Sequence, residues 1–460
     1  MEKLSIKLQR RVSKIIRVLC FNKENSLSSI IQAIEYYSSM KGKITSEEAP
    51  IDFITSDEKH HVCEENGVFK TSLYKVLLFM HMVDSIKSGD LNLKYSYRYL
   101  SIQDYLIDQE TWRKNRKQLL QLTGLYKFNN VNHILLQLKK RLDKTYQKIN
   151  KRIIEGRNHN LSIDEEDTVT VTTPALDERE TEYISTLLSQ QGYIPILRVL
   201  SEIDHLSKFS HCFKHHSLKY NKRRPKQPIF YAGLIGLGCN IGVSKMAHIS
   251  PGINENTLTN AVNWYFNRKS LSEANKTIVD LIHQLNLSAI FLSKKDKAHT
   301  ASDGSKYNVA VESLLANYSF KYFGKDKGIS IYTFIDERQS LFHSLVMSSS
   351  EREAAYVIDG LNKVDVPKVA IHSTDTHGYT ESIFAVTHLL GISFAPRLKQ
   401  IGKQQIYAFS TKSRYKAKGY QIIPNNTINQ SIIKDNWDDF LRLTVTIKLK
   451  KQPPLNYSNA

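Results

Sequence analysis

Near residue 297 the hydrophobic pattern of this chain changes period, and few folds accommodate that change. Ahead of it, apolar residues recur at helical spacing. Leu4, Leu8, Val12, Ile15, Ile16 and Leu19 mark a helix within residues 1–40. Leu73, Val76, Leu77, Met80 and Val83 mark a second over Thr71–Lys87, stopped near Gly89. Asn130–Ile154 reads as a long basic amphipathic helix, and residues 181–295 as further helix. Behind the change the chain is β-rich. Strands are expected over Thr300–Val311, Tyr318–Phe323 and within Ile329–Met347, then a helix over Glu351–Lys363. A short strand at Val369–His372, a helix at Tyr379–Leu390 and a strand at Ser393–Ala395 follow. The order β-β-β-α-β-α-β predicts an α/β domain, a mixed sheet with helices on its faces, preceded by a mainly α-helical region. The expected organisation is a helical basic region (1–157), an acidic Thr-rich linker (158–180), a helical region (181–296), the α/β domain (297–450) and a tail (451–460).

Composition narrows the partner. The 460 residues suffice for about three domains. An apolar share of 41% with 24% charged excludes a disordered chain. No apolar run approaches the roughly 18 residues of a spanning helix, and residues 1–20 carry no cleavage site of a signal peptide. Cys20, Cys63, Cys212 and Cys239 are scattered, which fits a reducing cytoplasm. The formal net charge of +19 points to a polyanion, most simply nucleic acid. It clusters: eight Lys/Arg in Lys139–Arg157, seven in His205–Pro228 including Lys222, Arg223 and Arg224, and twelve in Ala395–Ala460. Lys94 and Arg98 alternate with Tyr95, Tyr97 and Tyr99, a pattern that can grip a backbone and stack bases. The plainer alternative there is tyrosines packing a helix junction.

Two other patterns are weaker. Gly233–Gly242 lacks a preceding strand and the Lys-Ser/Thr of a phosphate loop, so tight helix packing through small residues is expected. Cys212 with His211, His215 and His216 is half of a zinc spacing without a second ligand pair nearby. The sharper constellation is Asp303 in the first strand and Asp375 at the C-terminal end of the fourth. If the chain crossover returns the fourth strand beside the first, the two carboxylates converge. Like charges that close repel, and a divalent cation relieves the repulsion by bridging them. Such a site suits phosphodiester chemistry.

Several motifs, in order, resemble the Tn3-family transposases. They are Ser302-Asp303-Gly304, Tyr332–Asp336, Arg352–Gly360, Thr374–Thr380 and Phe394–Arg397, with Ser72–Lys75, Lys87–Gly89 and Leu237–Gly242 ahead of them. The resemblance implies an RNase H-like DDE domain using Mg²⁺ or Mn²⁺ on DNA, at terminal inverted repeats and target sites. It makes Asp303 and Asp375 the first two catalytic and metal-holding residues, and places Arg397 where the family has an Arg after the last strand. The charge of Arg397 suits a phosphate contact. A homodimer stays open, and a cytoplasmic, nucleoid-associated location is expected. The family's third catalytic residue, a downstream Glu on a helix, has no counterpart: no Glu follows Glu381. Asp435, Asp438 and Asp439 are poor substitutes. The tail Lys451–Ala460 departs from the family pattern, and its codons read in a shifted frame permit the Thr-Ala-Ser and Leu expected there. A frameshift near Lys450 is therefore expected, giving a transposase fragment with impaired activity. The rival expectation is a non-catalytic DNA-binding remnant.

Overall fold

In the computed structural model, the described residues are 9, 12–40, 44, 48–63, 68–96, 98–164, 169–172, 186, 192–217, 224–292, 298–310, 313, 315–362 and 369–449. Contacts divide the chain into two compact units, residues 1–138 with 429–460, and residues 139–428. Lys222, Arg223 and the tail 451–460 lie outside the described residues.

The first unit is helical. Its core packs Ile30, Ile34, Tyr74, Leu78, Met82 and Leu91. The helix Thr71–Ser88 ends at Gly89, whose φ of 86° is the left-handed turn that glycine favours. A single helix through residues 1–40 does not form. The chain breaks after residue 16, Phe21 bridges Leu93, and a separate helix spans Ser28–Ser39. The break lets Asn22 N–H donate to the Asn92 carbonyl at 2.9 Å and Leu27 N–H to Asp90 at 2.8 Å. Residues 429–449 belong to this unit. Asp438 accepts from Trp112 Nε1 (2.7 Å) and Arg116 Nε (2.6 Å), one carboxylate oxygen each. Arg442, 1% exposed, donates to the Ile107 carbonyl and to Gln103. Asp438 is thus an anchor, and both its oxygens are engaged.

The second unit begins within the long helix Val131–Ile154, whose Tyr146 packs on Tyr415. Within the segment expected as a linker, β1 (Leu161–Ile163) pairs antiparallel with β2 (Val169–Val171). The glycine-rich run is helical, Gln227–Gly238, and packs tightly as expected. A Cβ on Gly233 would lie 2.8 Å from the Phe266 ring, and one on Gly236 3.1 Å from Met246. Cys212 faces Thr277, and His215 stacks on Trp264, so this cluster serves packing.

The sheet lies beyond residue 297. It is built from β3 (Ala298–Asn308), β4 (Asn317–Tyr318), β5 (Lys327–Asp336), β6 (Leu341–Ser348), β7 (Val369–Thr374) and β8 (Ser393–Phe394). β5 pairs antiparallel with β3, β4 and β6, whereas β7 pairs parallel to both β3 and β8, so the sheet is mixed. The Tyr318–Phe323 segment is not one strand. It is the two-residue β4 followed by a helical turn, Phe320–Phe323. Gly328 explains the turn, because a Cβ there would collide with the Phe323 ring, so only glycine admits that ring against β5. The expected third-strand window holds two strands, β5 and β6, joined through Gln339 at φ 62°. The following helix starts at Ala354, three residues later than expected. Among the described residues no helix is long and apolar enough to cross a membrane. The short pair β9 (Tyr407–Ala408) and β10 (Asn426–Thr427) closes the unit.

Alternation along β5 buries Ser330, Tyr332, Phe334 and Asp336 in turn. Phe334 packs with Met347, Val357 and Leu361. His372 is fully buried between the rings of Phe334 and Phe394. Thr300 Oγ1 lies 2.8 Å from its Nδ1 and Ser302 Oγ 3.0 Å from its Nε2. Hydroxyls donate or accept as required, so a neutral ring is fully satisfied. Burial holds the ring neutral and pulls its pKa from 6.5 down to about 4. Between those values the unfolded chain takes up a proton that the folded chain refuses. This contribution is present above pH 6.5 and fades as pH falls towards 4. The expected outcome is an acid-side loss of about 3 kcal/mol from this residue. Thermal melts of the parent and His372→Gln from pH 7.5 to 4.5 check it, since the variant, less stable at pH 7.5, should lose less on acidification.

Candidate active site

The register of the sheet positions the first two carboxylates. Ser302 pairs with Thr374 across the parallel β3–β7 ladder, so Asp303 and Asp375 are the residues that follow this pair. Ser302 and Thr374 face the core, 4% and 6% exposed, and the alternation of a strand turns Asp303 away from it. Asp303 also pairs with Thr333 of β5, and its Oδ1 accepts from Gly304 N–H at 2.9 Å. Asp375 directly follows β7 and caps the one-turn helix Thr376–Gly378. Its Oδ1 accepts from the N–H groups of His377 (2.9 Å) and Gly378 (3.1 Å), and its Oδ2 lies 2.9 Å from His377 Nδ1. Gly378 is needed because a Cβ would fall 2.6 Å from Thr374 Cβ.

A third carboxylate joins them. Glu353 lies immediately ahead of the helix Ala354–Asn362 and is 6% exposed. One oxygen each from Asp303, Glu353 and Asp375 falls within a 4.8 Å cluster. Gly304 makes the room, since a Cβ on it would clash with Glu353 Oε1. Lys306 Nζ stands 3.8 Å from Oε1, and Oε2 has no hydrogen-bond partner. Burial, then the neighbouring Asp375, push the Glu353 pKa above the usual carboxylate range, against Lys306. A buried carboxylate oxygen without a hydrogen-bond partner, on a group clustered with two other carboxylates, costs free energy unless a cation or a proton compensates it. Three oxygen donors suit a hard divalent ion such as Mg²⁺ or Mn²⁺. Among the described residues this is the one group of three His, Cys, Asp or Glu side chains close enough to share an ion.

The sequence names Asp303 and Asp375, and the structure brings them together. It misses Glu353 as a site residue. The signal was a Glu opening an apolar-periodic helix, which reads equally as an ordinary first-turn acid. Arg397 lies at the same edge: its N–H donates to the Thr374 carbonyl at 2.8 Å, and its carbonyl accepts from Thr376 Oγ1 at 3.3 Å. Its side chain is exposed. Arg224 is committed locally, donating to the Ser210 carbonyl at 2.5 Å and covering the Phe230 ring. Lys94 and Arg98, in the helical unit, are exposed and lie over the rings of Tyr95 and Tyr99. Lys140, Lys144 and Lys151 share a surface cleft with Lys418, joining the first and third basic stretches.

The raised Glu353 pKa means that the folded chain keeps a proton which the unfolded chain has already released. Stability from this group is therefore lost as pH rises above the ordinary carboxylate range. In chelator at pH 8, Glu353→Gln is expected to melt at a higher temperature than the parent. Added Mn²⁺ should then raise the melting temperature of the parent more than that of the variant. Calorimetry with and without Mn²⁺ checks both.

Comparison with known proteins accords with this geometry. Residues 198–455 match the Tn3 transposase DDE domain. The transposase for transposon Tn1546 of Enterococcus faecium is 27% identical over 97% of this chain and 45% of its own length. The transposase for transposon Tn2501 of Escherichia coli is 27% identical over 87% of this chain and 40% of its own. The transposase for transposon gamma-delta of Escherichia coli K12 is 25% identical over 96% and 44%. The chain thus spans less than half the length of these relatives. A DDE domain implies an RNase H-like fold, which the mixed sheet fits. By the match over more than half its residues, this chain belongs to the Tn3 transposase family.

Proposed function

We propose that this chain carries the catalytic centre of a DNA transposase that cuts strands at terminal inverted repeats and transfers them to target DNA. One observation carries the reading. Asp303, Glu353 and Asp375, from three separate elements of a DDE domain, bring carboxylate oxygens within 4.8 Å of one another. These three would hold Mg²⁺ or Mn²⁺, which supplies Lewis acidity at a phosphodiester oxygen. In cleavage, a water oxygen bonds to phosphorus and the P–O3′ bond breaks, leaving a 3′-hydroxyl and a 5′-phosphate. In transfer, that 3′-hydroxyl oxygen bonds to a target phosphorus and displaces a second 3′-oxygen.

The protein's own groups orient these events. The N–H groups of His377 and Gly378 fix the Asp375 carboxylate, and Gly304 admits Glu353 beside Asp303. Arg397, fastened to Thr374 by its backbone, stands where a guanidinium can pair with a strand's phosphate. Glu353 would supply the third carboxylate of this cluster. The basic stretches bearing Lys222, Arg223, Lys94 and Arg98 would add backbone contacts. Two transposon ends need two centres, so a homodimer is the simplest assembly. Its place of work would be the bacterial cytoplasm, at the nucleoid.

Nicking of a supercoiled plasmid bearing inverted repeats, in Mn²⁺, tests the reading. Asp303→Ala and Asp375→Ala should each lose about a thousandfold or more, and the double variant little further, because such residues act as a unit. DNA binding should persist in both. A parent that binds these ends and never cuts them would instead favour the non-catalytic DNA-binding remnant. Arg397→Ala should weaken binding evenly across sequences and lower the salt slope by about one, read from affinity at several salt concentrations.

A further inference from the structure

The segment between β3 and β5 carries aromatic side chains that the carboxylate chemistry does not use. Phe323 is its anchor, 9% exposed and seated against Gly328. β4 pins the other end through Tyr318, which pairs with Lys327. The aromatic residues around that anchor face solvent: Tyr318 is 60% exposed, Phe320 84% and Tyr322 44%. Three large rings exposed within five residues form a local apolar surface that a ligand can cover. Cations surround them. Lys327 Nζ lies 5.3 Å from the Tyr318 ring centre, and Lys321 Nζ 5.0 Å from that of Tyr322. Lys306 Nζ lies 4.6 Å from the Tyr322 ring centre and 3.8 Å from Glu353 Oε1. One ammonium group therefore spans the gap between the aromatic surface and the carboxylate cluster.

Aromatic faces interleaved with lysines match the chemistry of a single strand: rings for bases, ammonium groups for phosphates. A paired duplex offers its phosphates but keeps its base faces stacked. We propose that Tyr318, Phe320 and Tyr322, with Lys306, Lys321 and Lys327, form a stacking platform for unpaired bases beside the phosphate held at Asp303, Glu353 and Asp375. The inference rests on the reading of that site as a DNA-cleaving centre. In this arrangement the site favours DNA ends that are open or easily opened, and the platform holds the displaced base out of the duplex.

Binding, not turnover, tests it. The full chain is titrated against a fluorescein-labelled single-stranded oligonucleotide and against the same sequence as duplex. A single-stranded probe containing 2-aminopurine is titrated in parallel, because stacking on aromatic rings quenches it. Phe320→Ala and Tyr322→Ala should each weaken single-strand binding by about fivefold or more while duplex affinity stays within about twofold. Both should also reduce the quenching, and Tyr322→Phe should restore parent behaviour. Phe320 is so exposed that its truncation leaves the fold intact, which a thermal melt verifies. Equal losses on both probes, or none, would overturn the platform while leaving the cleavage centre standing. A parent that binds neither probe would remove the DNA reading itself, and the platform with it.

Discussion

Five pairs of parallel ladder between β3 and β7 hold the α/β domain together. On one side of that seam the chain folds back on itself through β5 and β6. On the other, β7 and β8 arrive by helical crossovers. The seam is also where the chemistry lies. Its register fixes Asp303 against Asp375, and a slip of one residue would turn one of them into the core. The buried ladder Thr300, His372, Ser302 and Tyr332 locks that register by hydrogen bonds between side chains of both strands and of β5. A neutral histidine at the centre costs little at neutral pH and keeps charge out of the core.

Beside the seam the protein tolerates an electrostatic conflict. Two aspartates at a sheet edge can keep water. Glu353 cannot, because the helix Ala354–Asn362 and the absence of a side chain on Gly304 seat it inside. Lys306 relieves part of the repulsion, yet one carboxylate oxygen stays unpartnered. A structure that keeps such a group is arranged for a positively charged ligand, not for maximal stability of the empty protein. Packing glycines recur around it: Gly304, Gly328, Gly360 and Gly378 each lie where a Cβ would strike a neighbour. The site is built by close approach of backbones, and small residues are what permit it.

The helical unit follows a different logic. Its C-terminal helix Trp437–Lys448 is fastened by Asp438 to Trp112 and Arg116, and by Arg442 to Ile107 and Gln103. These are long-range contacts of more than three hundred residues in sequence. Residues far apart in the chain thus close this unit, and the Asp438 carboxylate serves that closure.

Local sequence determined much here. Apolar spacing located the helices at Thr71–Ser88 and Val131–Ile154, because amphipathic periodicity is a property of neighbours in the chain. Motif order marked Asp303 and Asp375, since each sits at a strand position with small neighbours. The sequence could not separate Tyr318–Phe323 into a strand and a turn, because that depends on Gly328 accepting the Phe323 ring from across the sheet. Nor could it distinguish Glu353 from any first-turn glutamate, or show that Arg224 is held by Ser210 and Phe230. Burial and convergence are decided by residues far apart in the chain. The types of chemical group were therefore legible in the sequence, while the carboxylate triad existed only once the sheet had set its register.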